Sequence, residues 1–245
     1  MGEYDKDGYY AARSATMLRG FDGFARRVRP YLEARYGTPF AIDTLGEARV
    51  EFVQLLPEIP YIGGVRNVFT PVVVANGWGV ALYRAMAARG KTALETIAII
   101  AELSDDWFRS MPGWLLGLLG RAAFSGPARW YFRRQGDRSL RRQHAGDFVW
   151  RLREGGGDDV AFEFDECAVN KFYEAQGVTE LAPYCNFFDV TYSRLMGMGI
   201  NADNTIGLGC ETCTLAFKHG RETKVPANLD GVLPHAKSAA AAESA

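Results

Sequence analysis

The distribution of apolar residues changes near Asp147, and this change constrains the fold more than any other feature of the sequence. Up to about residue 145, apolar side chains recur close to the 3.6-residue period of a helix, as Phe21, Phe24, Val28 and Leu32 do. From Asp147 onwards, apolar and polar residues alternate in the segments DFVWRLRE and VAFEFDE. Helices followed by strands that come in hairpins predict an α+β fold.

Periodicity and breaker residues predict four helices in the first half, over residues 13–36, 44–56, 71–89 and 93–107. The second half is predicted to be a ββααββ module with antiparallel strands. Its first hairpin turns at 155–159, its helices cover 167–176 and 181–198, and its last strands cover 204–210 and 213–220. We therefore expect a helical region at 1–145, an α+β module at 146–222 sharing one core with it, and a disordered tail at 223–245.

Residues 111–124, MPGWLLGLLGRAAF, form the most apolar stretch of the chain, and a run of arginines follows it. The stretch is too short to span a bilayer, so a core helix, a lid and a helix on a membrane surface all stay open. The arginines form either a solvated helix face or an anion-binding patch. They are Arg129, Arg133, Arg134, Arg138, Arg141 and Arg142.

The amino-acid composition excludes several classes of protein. The chain has 245 residues, 48% of them apolar, and a net charge of −1, which excludes disorder and gives no overall attraction to nucleic acid. The N-terminal MGEYDKDGYY has no signal-peptide character, and no stretch is long enough to span a bilayer. We expect a cytoplasmic protein with reduced cysteines and a small-molecule substrate, and its oligomeric state stays open.

Most familiar site motifs are absent from the sequence. It has no P-loop, no HExxH and no GxSxG, and Gly207-x-Gly209 lacks the third glycine of a dinucleotide fingerprint. The three histidines, His144, His219 and His235, are far apart and lack metal-ligand spacing. The main candidates for chemistry are therefore the four cysteines, Cys167, Cys185, Cys210 and Cys213.

Cys210 and Cys213 have the CxxC spacing. A redox pair of the thioredoxin type belongs at a helix N-terminus, whereas this pair is predicted to lie between strands. Zinc needs about four ligands, and a zinc ribbon would show two CxxC units where this chain has one. A nucleophile, a zinc ligand set of different spacing and small buried residues without chemistry all stay open.

Two other cysteines have charged neighbours at helical spacing. Asp189 follows Cys185 by four residues, so a helix would place both on one face. Lys171 follows Cys167 by four residues, and Glu166 directly precedes Cys167. A lysine lowers the pKa of a neighbouring thiol, and a carboxylate serves as a base or a metal partner.

Three segments of the second half, GDFVWRLREG, DECAVNKFYEAQGVTELAPYCNFFD and TIGLGCETC, resemble the L-2-amino-thiazoline-4-carboxylic acid hydrolase family. In the helical half, FTPVVVANGWGVALYRAMAARGKT is the most similar stretch. The family motifs correspond to Glu166-Cys167, to Cys185 with Asp189, and to a Thr-x-x-x-Gly-x-x-x-Cys strand pair that ends at Cys213. The chain departs from the family at Thr214, where an aspartate is usual, and lacks an arginine shortly before the threonine of the strand pair.

The resemblance implies hydrolysis of a cyclic amidine, in which addition at ring carbon C2 precedes ring opening. It implies a catalytic set drawn from Cys213, Cys185, Cys167, Asp189 and Glu166. The candidate substrate-binding residues are Lys171, Tyr173, Thr205, Arg133 and Arg134. The cofactor to test is zinc, with Cys167, Cys185 and Cys213 as its candidate ligands.

Two further functions stay open. The ββααββ module is also similar to the 4-vinyl-reductase-type domain, which implies binding of a small molecule or a metal without turnover. The apolar residues of 111–124 favour an enzyme of the same fold that acts on an apolar, isoprenoid or aromatic substrate. Contact with a membrane surface through 111–124 is an additional expectation.

Overall fold

In the computed structural model, residues 8–155 and 157–234 are described. The helices in these residues are α1 (Ser14–Tyr36), α2 (Thr38–Leu55), α3 (Thr70–Ala87), α4 (Ala93–Arg109), α5 (Gly113–Ala123), α6 (Gly126–Ser139), α7 (Ala168–Gln176) and α8 (Phe187–Met196). The strands are β1 (Val149–Gly155), β2 (Asp158–Glu166), β3 (Ile200–Asn204) and β4 (Cys213–Phe217). Short 3₁₀ helices connect several of them.

The predicted α+β fold is confirmed. The four strands form one antiparallel sheet in the order β1-β2-β4-β3, and they follow a helical first half. The hairpin between β1 and β2 turns through Gly155 and Gly157, whose φ angles of +87° and +95° favour glycine. Gly156, also predicted in this turn, lies outside the described residues.

The chain divides into two compact units that do not follow its linear order. Unit 1 comprises 1–103, 144–147 and 168–181, and unit 2 comprises 104–143, 148–167 and 182–245. In unit 1, α2 packs against α1 and α3, and the rings of Phe21 and Phe52 stack with their centroids 5.1 Å apart. Helix α7 packs against α3 in the same unit.

In unit 2, the sheet has one apolar and one charged face. Directly opposite residues of an antiparallel pair point to the same side, so pairing of Phe164 with both Trp150 and Cys213 places all three on one face. Leu152, Val160, Phe162, Leu215 and Phe217 lie on this face by the same alternation.

The opposite face of the hairpin is charged. There Arg151 pairs with Asp165, and Arg153 Nε lies 2.7 Å from Glu163 Oε1. Charged pairs on one face and aromatic rings on the other fix which side of the sheet the helices cover.

Helices α5, α6 and α8 belong to the same unit as the sheet. Ser139, at the end of α6, joins this helix to β1, because its hydroxyl accepts from the Trp150 N–H and donates to the Trp150 carbonyl. Helix α5 packs against α8 so closely that a Cβ on Gly120 would lie 2.1 Å from the Met196 carbonyl oxygen.

The helix predicted over 181–198 is divided in the structure. A 3₁₀ helix, Thr179–Tyr184, ends before Cys185, and α8 begins at Phe187. The helix is interrupted at Asn186, whose buried side-chain amide donates to the Ala202 carbonyl at 3.0 Å. Cys185 therefore lies in a turn that leads into α8, and not on a helix.

The strand predicted over 204–210 is also wrong. The strand that pairs with β4 is β3, which ends at Asn204, and Ile206–Leu208 form a 3₁₀ turn. The turn forms because the Thr205 carbonyl accepts from the Leu208 and Cys210 N–H groups, and Gly209 adopts a φ of +85°.

The segment predicted to be a disordered tail is folded in its described part, residues 223–234. It contains a 3₁₀ helix, Ala227–Leu229, and buried Leu229, Val232 and Leu233. Burial of these apolar side chains contributes free energy that stabilises the ordered backbone. Residues 235–245, including His235, lie outside the described residues.

The apolar stretch 111–124 forms α5, which is neither fully buried nor fully exposed. Leu116 and Gly120 are buried, whereas Trp114 is 73% exposed and Leu118 is 54% exposed. Within residues 8–155 and 157–234, no helix has the length and apolar character needed to cross a membrane. Contact of α5 with a membrane surface stays a prediction.

The contact between α5 and α8 predicts opposite effects for two glycines of one helix. Gly120→Ala should lower the free energy of unfolding by about 2 kcal/mol, because its Cβ would meet the Met196 carbonyl. Gly117→Ala should raise it by about 0.5–1 kcal/mol, since a Cβ there meets nothing within 4 Å and alanine favours the helix. Urea unfolding of both variants tests this, and equal effects at the two positions would contradict the packing.

Candidate active site

Three of the four cysteines lie at the ends of different elements of unit 2. Cys167 follows β2, Cys185 lies in the turn before α8, and Cys213 is the first residue of β4. The electrostatic field at the Cys185 thiol includes contributions from Cys167 and Asp189, and that at Cys213 includes Cys185, Cys167 and Asp189. Three thiols and one carboxyl therefore interact electrostatically in the folded chain. They are Cys167, Cys185, Cys213 and Asp189.

The 3₁₀ turn Ile206–Leu208 supplies backbone hydrogen bonds to two thiols. The Gly207 N–H donates to the Cys185 sulfur, and the Ile206 N–H donates to the Cys213 sulfur. Thr205 is fully buried, and its hydroxyl oxygen has no hydrogen-bond partner among the described residues. The two consecutive N–H groups of Ile206 and Gly207 thus each serve a different sulfur atom.

Asp189 lies in the first turn of α8, four residues after Cys185. The Tyr192 hydroxyl donates to Asp189 Oδ1 at 2.9 Å. Burial raises the pKa of the Asp189 carboxyl from 3.8 to about 6, although the Tyr192 hydrogen bond acts in the opposite direction. Asp189 is therefore a carboxyl that gains and loses its proton near neutral pH, as a general base must.

The thiols are protonated in the resting protein. Burial is the main reason that the pKa of Cys185 rises to about 12, and the charges of Cys167 and Asp189 add to it. The pKa of Cys213 is raised as well, again mainly by burial. Neither thiol is a ready thiolate at pH 7, so chemistry at these sulfurs requires a base at the moment of attack.

Two asparagines hold the turn that contains Cys185. Asn186, with 1% exposure, donates to the Ala202 carbonyl of β3. Its own side-chain oxygen accepts from Asn228 Nδ2 at 3.0 Å, and Asn228 also donates to the Pro183 carbonyl at 2.7 Å. The folded part of the predicted tail thus helps to position the catalytic candidate Cys185.

Several predicted site residues have other partners. The Glu166 carboxylate forms an ion pair with Arg142, and Arg133 forms one with Glu154. The Arg134 guanidinium lies 5.7 Å from the centre of the Trp130 ring. The two ion pairs could not be predicted from the sequence, because their partners lie more than 20 residues apart.

Lys171 and Tyr173 belong to unit 1, whereas the thiols belong to unit 2. Lys171 Nζ donates to the carbonyls of Ala145 and Asp147, and the Tyr173 hydroxyl donates to Asn76. Cys167 directly precedes α7, which begins at Ala168, and the predicted effect of Lys171 on the Cys167 thiol stays a prediction. These contacts anchor α7 within unit 1.

The described residues offer no preformed metal site. In 8–155 and 157–234, no group of three or more His, Cys, Asp or Glu side chains is arranged so that it could hold a metal ion. The donor atoms of Cys167, Cys185 and Cys213 thus do not have the geometry of a zinc site, which needs about four ligands near 2.0–2.3 Å.

A cavity of about 350 Å³ lies on the apolar face of the sheet in the same unit. Its walls come from the ends of α4 and α5, from α6 and α8, and from β1, β2 and β4. Tyr192 lines this cavity, and its hydroxyl is bonded to Asp189. One tyrosine therefore contacts both the apolar cavity and the carboxyl beside the thiols.

Sequence analysis missed Tyr192 and the N–H groups of Ile206 and Gly207. Tyr192 follows Asp189 by three residues, a spacing at which helical side chains meet, so this contact could have been found. The backbone donors could not be predicted from side chains. The sequence shows only a glycine at position 207. In the structure, a Cβ at this position would lie 2.1 Å from the Ala182 carbonyl oxygen and 3.0 Å from the Cys185 sulfur.

Comparisons with protein families, with curated proteins and with solved structures found no match to this chain. The resemblance to the thiazoline-carboxylate hydrolase family therefore stays a prediction.

The raised pKa of Asp189 predicts a pH-dependent effect on stability. A carboxyl with a higher pKa in the folded state destabilises the fold where it is ionised, above about pH 6, and this penalty disappears towards pH 4. Asp189→Asn should thus stabilise the protein by about 2 kcal/mol at pH 8 and by much less at pH 4.5.

Urea unfolding between pH 4.5 and 8 measures this effect. Asp203→Asn is the matched control, because Asp203 is exposed and only 3.5 Å from Lys224, so its effect should stay within about 0.5 kcal/mol at every pH. A loss of stability at pH 8 in Asp189→Asn would mean that the carboxylate is favourably solvated or paired.

Proposed function

We propose that the protein is a thiol-dependent hydrolase that opens a cyclic amidine, L-2-amino-thiazoline-4-carboxylate or a related small molecule. The main support is that a titratable carboxyl, Asp189, interacts electrostatically with the thiols of Cys185 and Cys213. Each of these thiols accepts a hydrogen bond from one of two consecutive backbone N–H groups. This is the combination of nucleophile, base and charge-stabilising donors that covalent catalysis needs. The family resemblance of the second half points to the same chemistry.

Cys185 is the better nucleophile of the two. It lies four residues before Asp189, and the charge of Asp189 acts on its thiol. Its sulfur also accepts from the Gly207 N–H, which favours the thiolate. Cys213 is assigned a supporting role beside it.

The pKa values of Cys185 and Asp189 determine how the Cys185 thiol attacks the substrate. Complete transfer of the proton from Cys185, with a pKa of about 12, to Asp189, with a pKa of about 6, would require roughly 8 kcal/mol before any bond forms. Proton transfer and attack are therefore concerted: the sulfur bonds to ring carbon C2 while Asp189 takes the thiol proton. The N–H of Gly207 stabilises the negative charge that develops on sulfur.

The remaining steps complete hydrolysis. The tetrahedral adduct breaks its bond between C2 and the ring sulfur, and Asp189 returns the proton to that sulfur as it leaves. Asp189 then removes a proton from a water molecule that attacks C2 of the covalent intermediate. Cys185 leaves, takes the proton back from Asp189, and the product is the N-carbamoyl derivative of cysteine, heavier than the substrate by one water.

A cytoplasmic location is part of this proposal. All four cysteines are free, which agrees with a compartment that keeps thiols reduced. Oxidation of Cys185 would remove the nucleophile.

The activity test uses purified protein, L-2-amino-thiazoline-4-carboxylate and mass spectrometry. We expect a product heavier by one water, and a loss in rate of about 100-fold or more in both Cys185→Ser and Asp189→Asn. Cys210→Ser is the matched control and should keep its activity, because Cys210 lies in the loop after the 206–208 turn and no role is assigned to it.

Two outcomes would overturn the proposal. Full activity in Cys185→Ser would exclude this cysteine as the nucleophile. Failure of folded wild-type protein to turn over this substrate and its ring-substituted analogues would exclude amidine hydrolysis.

A further inference from the structure

The cavity on the apolar face of the sheet has no role in the proposed hydrolysis. Rings of Phe124, Phe132, Phe162 and Phe217 contribute to its wall, with Met196 and Met198 at the α8 end. Among the lining residues, only Arg129 and Tyr192 have polar side-chain atoms, and the Tyr192 hydroxyl is already bonded to Asp189. A space lined in this way gives water almost no hydrogen-bonding partners.

Arg129 is the charged residue among those that line the cavity. It is half-buried, whereas Arg133, Arg134 and Arg138 on the same helix are exposed. No hydrogen bond or ion pair of the Arg129 guanidinium is found among residues 8–155 and 157–234. A guanidinium without a partner, on a side chain that lines an apolar space, is a candidate site for a carboxylate or another anion.

We infer that this cavity is a binding site for an apolar molecule that has a single anionic group, with the apolar part against the phenylalanine rings and the anion on Arg129. An apolar cavity of about 150 Å³ holds benzene, so about 350 Å³ accommodates roughly a dozen carbon atoms. Ligand pockets typically combine such a wall with very few polar groups that fix orientation. A medium-chain carboxylate matches this volume and this charge.

This site is distinct from the thiols but adjoins them through Tyr192. The ring of Tyr192 faces the cavity and its hydroxyl holds Asp189, so a bound molecule lies against the residue that orients the proposed base. The inference does not depend on hydrolysis, because binding is measured without turnover.

Isothermal titration calorimetry with decanoate, decanol and decylamine, below their micelle concentrations, tests the inference. Decanoate should bind about five- to tenfold more tightly than decanol, and decylamine most weakly. Arg129→Gln should reduce decanoate affinity to that of decanol and leave decanol unchanged. Arg138→Gln, which removes an arginine of α6 outside the cavity, should change neither.

A second pair of variants tests the location. Ala123→Phe places a ring in the cavity and should abolish binding of both decanoate and decanol, whereas Ala122→Phe, at an exposed neighbour outside the wall, should not. Arg129→Gln decides the question if Ala123→Phe does not fold. Equal affinity for the three compounds, no binding at all, or full decanoate affinity in Arg129→Gln would each overturn the inference, whatever the result of the hydrolysis assay.

Discussion

The candidate site depends on the close approach of the 206–208 turn to the segment that contains Cys185. A Cβ at residue 207 would lie 2.1 Å from the Ala182 carbonyl oxygen and 3.0 Å from the Cys185 sulfur, so only glycine allows this contact. The contact brings the N–H groups of Ile206 and Gly207 to the two thiols. Without it, the sulfurs of Cys213 on β4 and Cys185 before α8 would lack these backbone donors.

Two aspartates, Asp105 of α4 and Asp189 of α8, have different partners in unit 2. Asp105 is fully buried and forms ion pairs with Arg109 and Arg194, the latter from α8. Asp189, in the first turn of α8, has the Tyr192 hydroxyl as its side-chain partner, and no ion pair to it is found among residues 8–155 and 157–234. The pairing of Asp105 is typical of structural carboxylates, whereas Asp189 is partly buried without a cation, and the resulting desolvation raises its pKa to about 6.

The alternation of DFVWRLRE and VAFEFDE was enough to predict the sheet and the fold class, because period-two patterns are local and strong. The same local reasoning expected Asp189 and Cys185 on one helix face, whereas Cys185 lies in the turn that leads into α8. What could not be predicted depends on long-range contacts. The Asn186 amide that interrupts the helix, the Arg142 that pairs with Glu166, and the choice of Arg129 over its neighbours all follow from tertiary packing.

The ionisation of Asp189 is the central claim, and carbon-13 NMR measures it directly. Protein labelled at the aspartate carboxyl carbons would be titrated from pH 4 to pH 8, with Asp189→Asn used to identify the resonance. A midpoint near pH 6 is predicted, because burial beside the thiols disfavours the charge. A midpoint near pH 4 would show a solvated carboxylate and would contradict both the buried site and the role of Asp189 as its base.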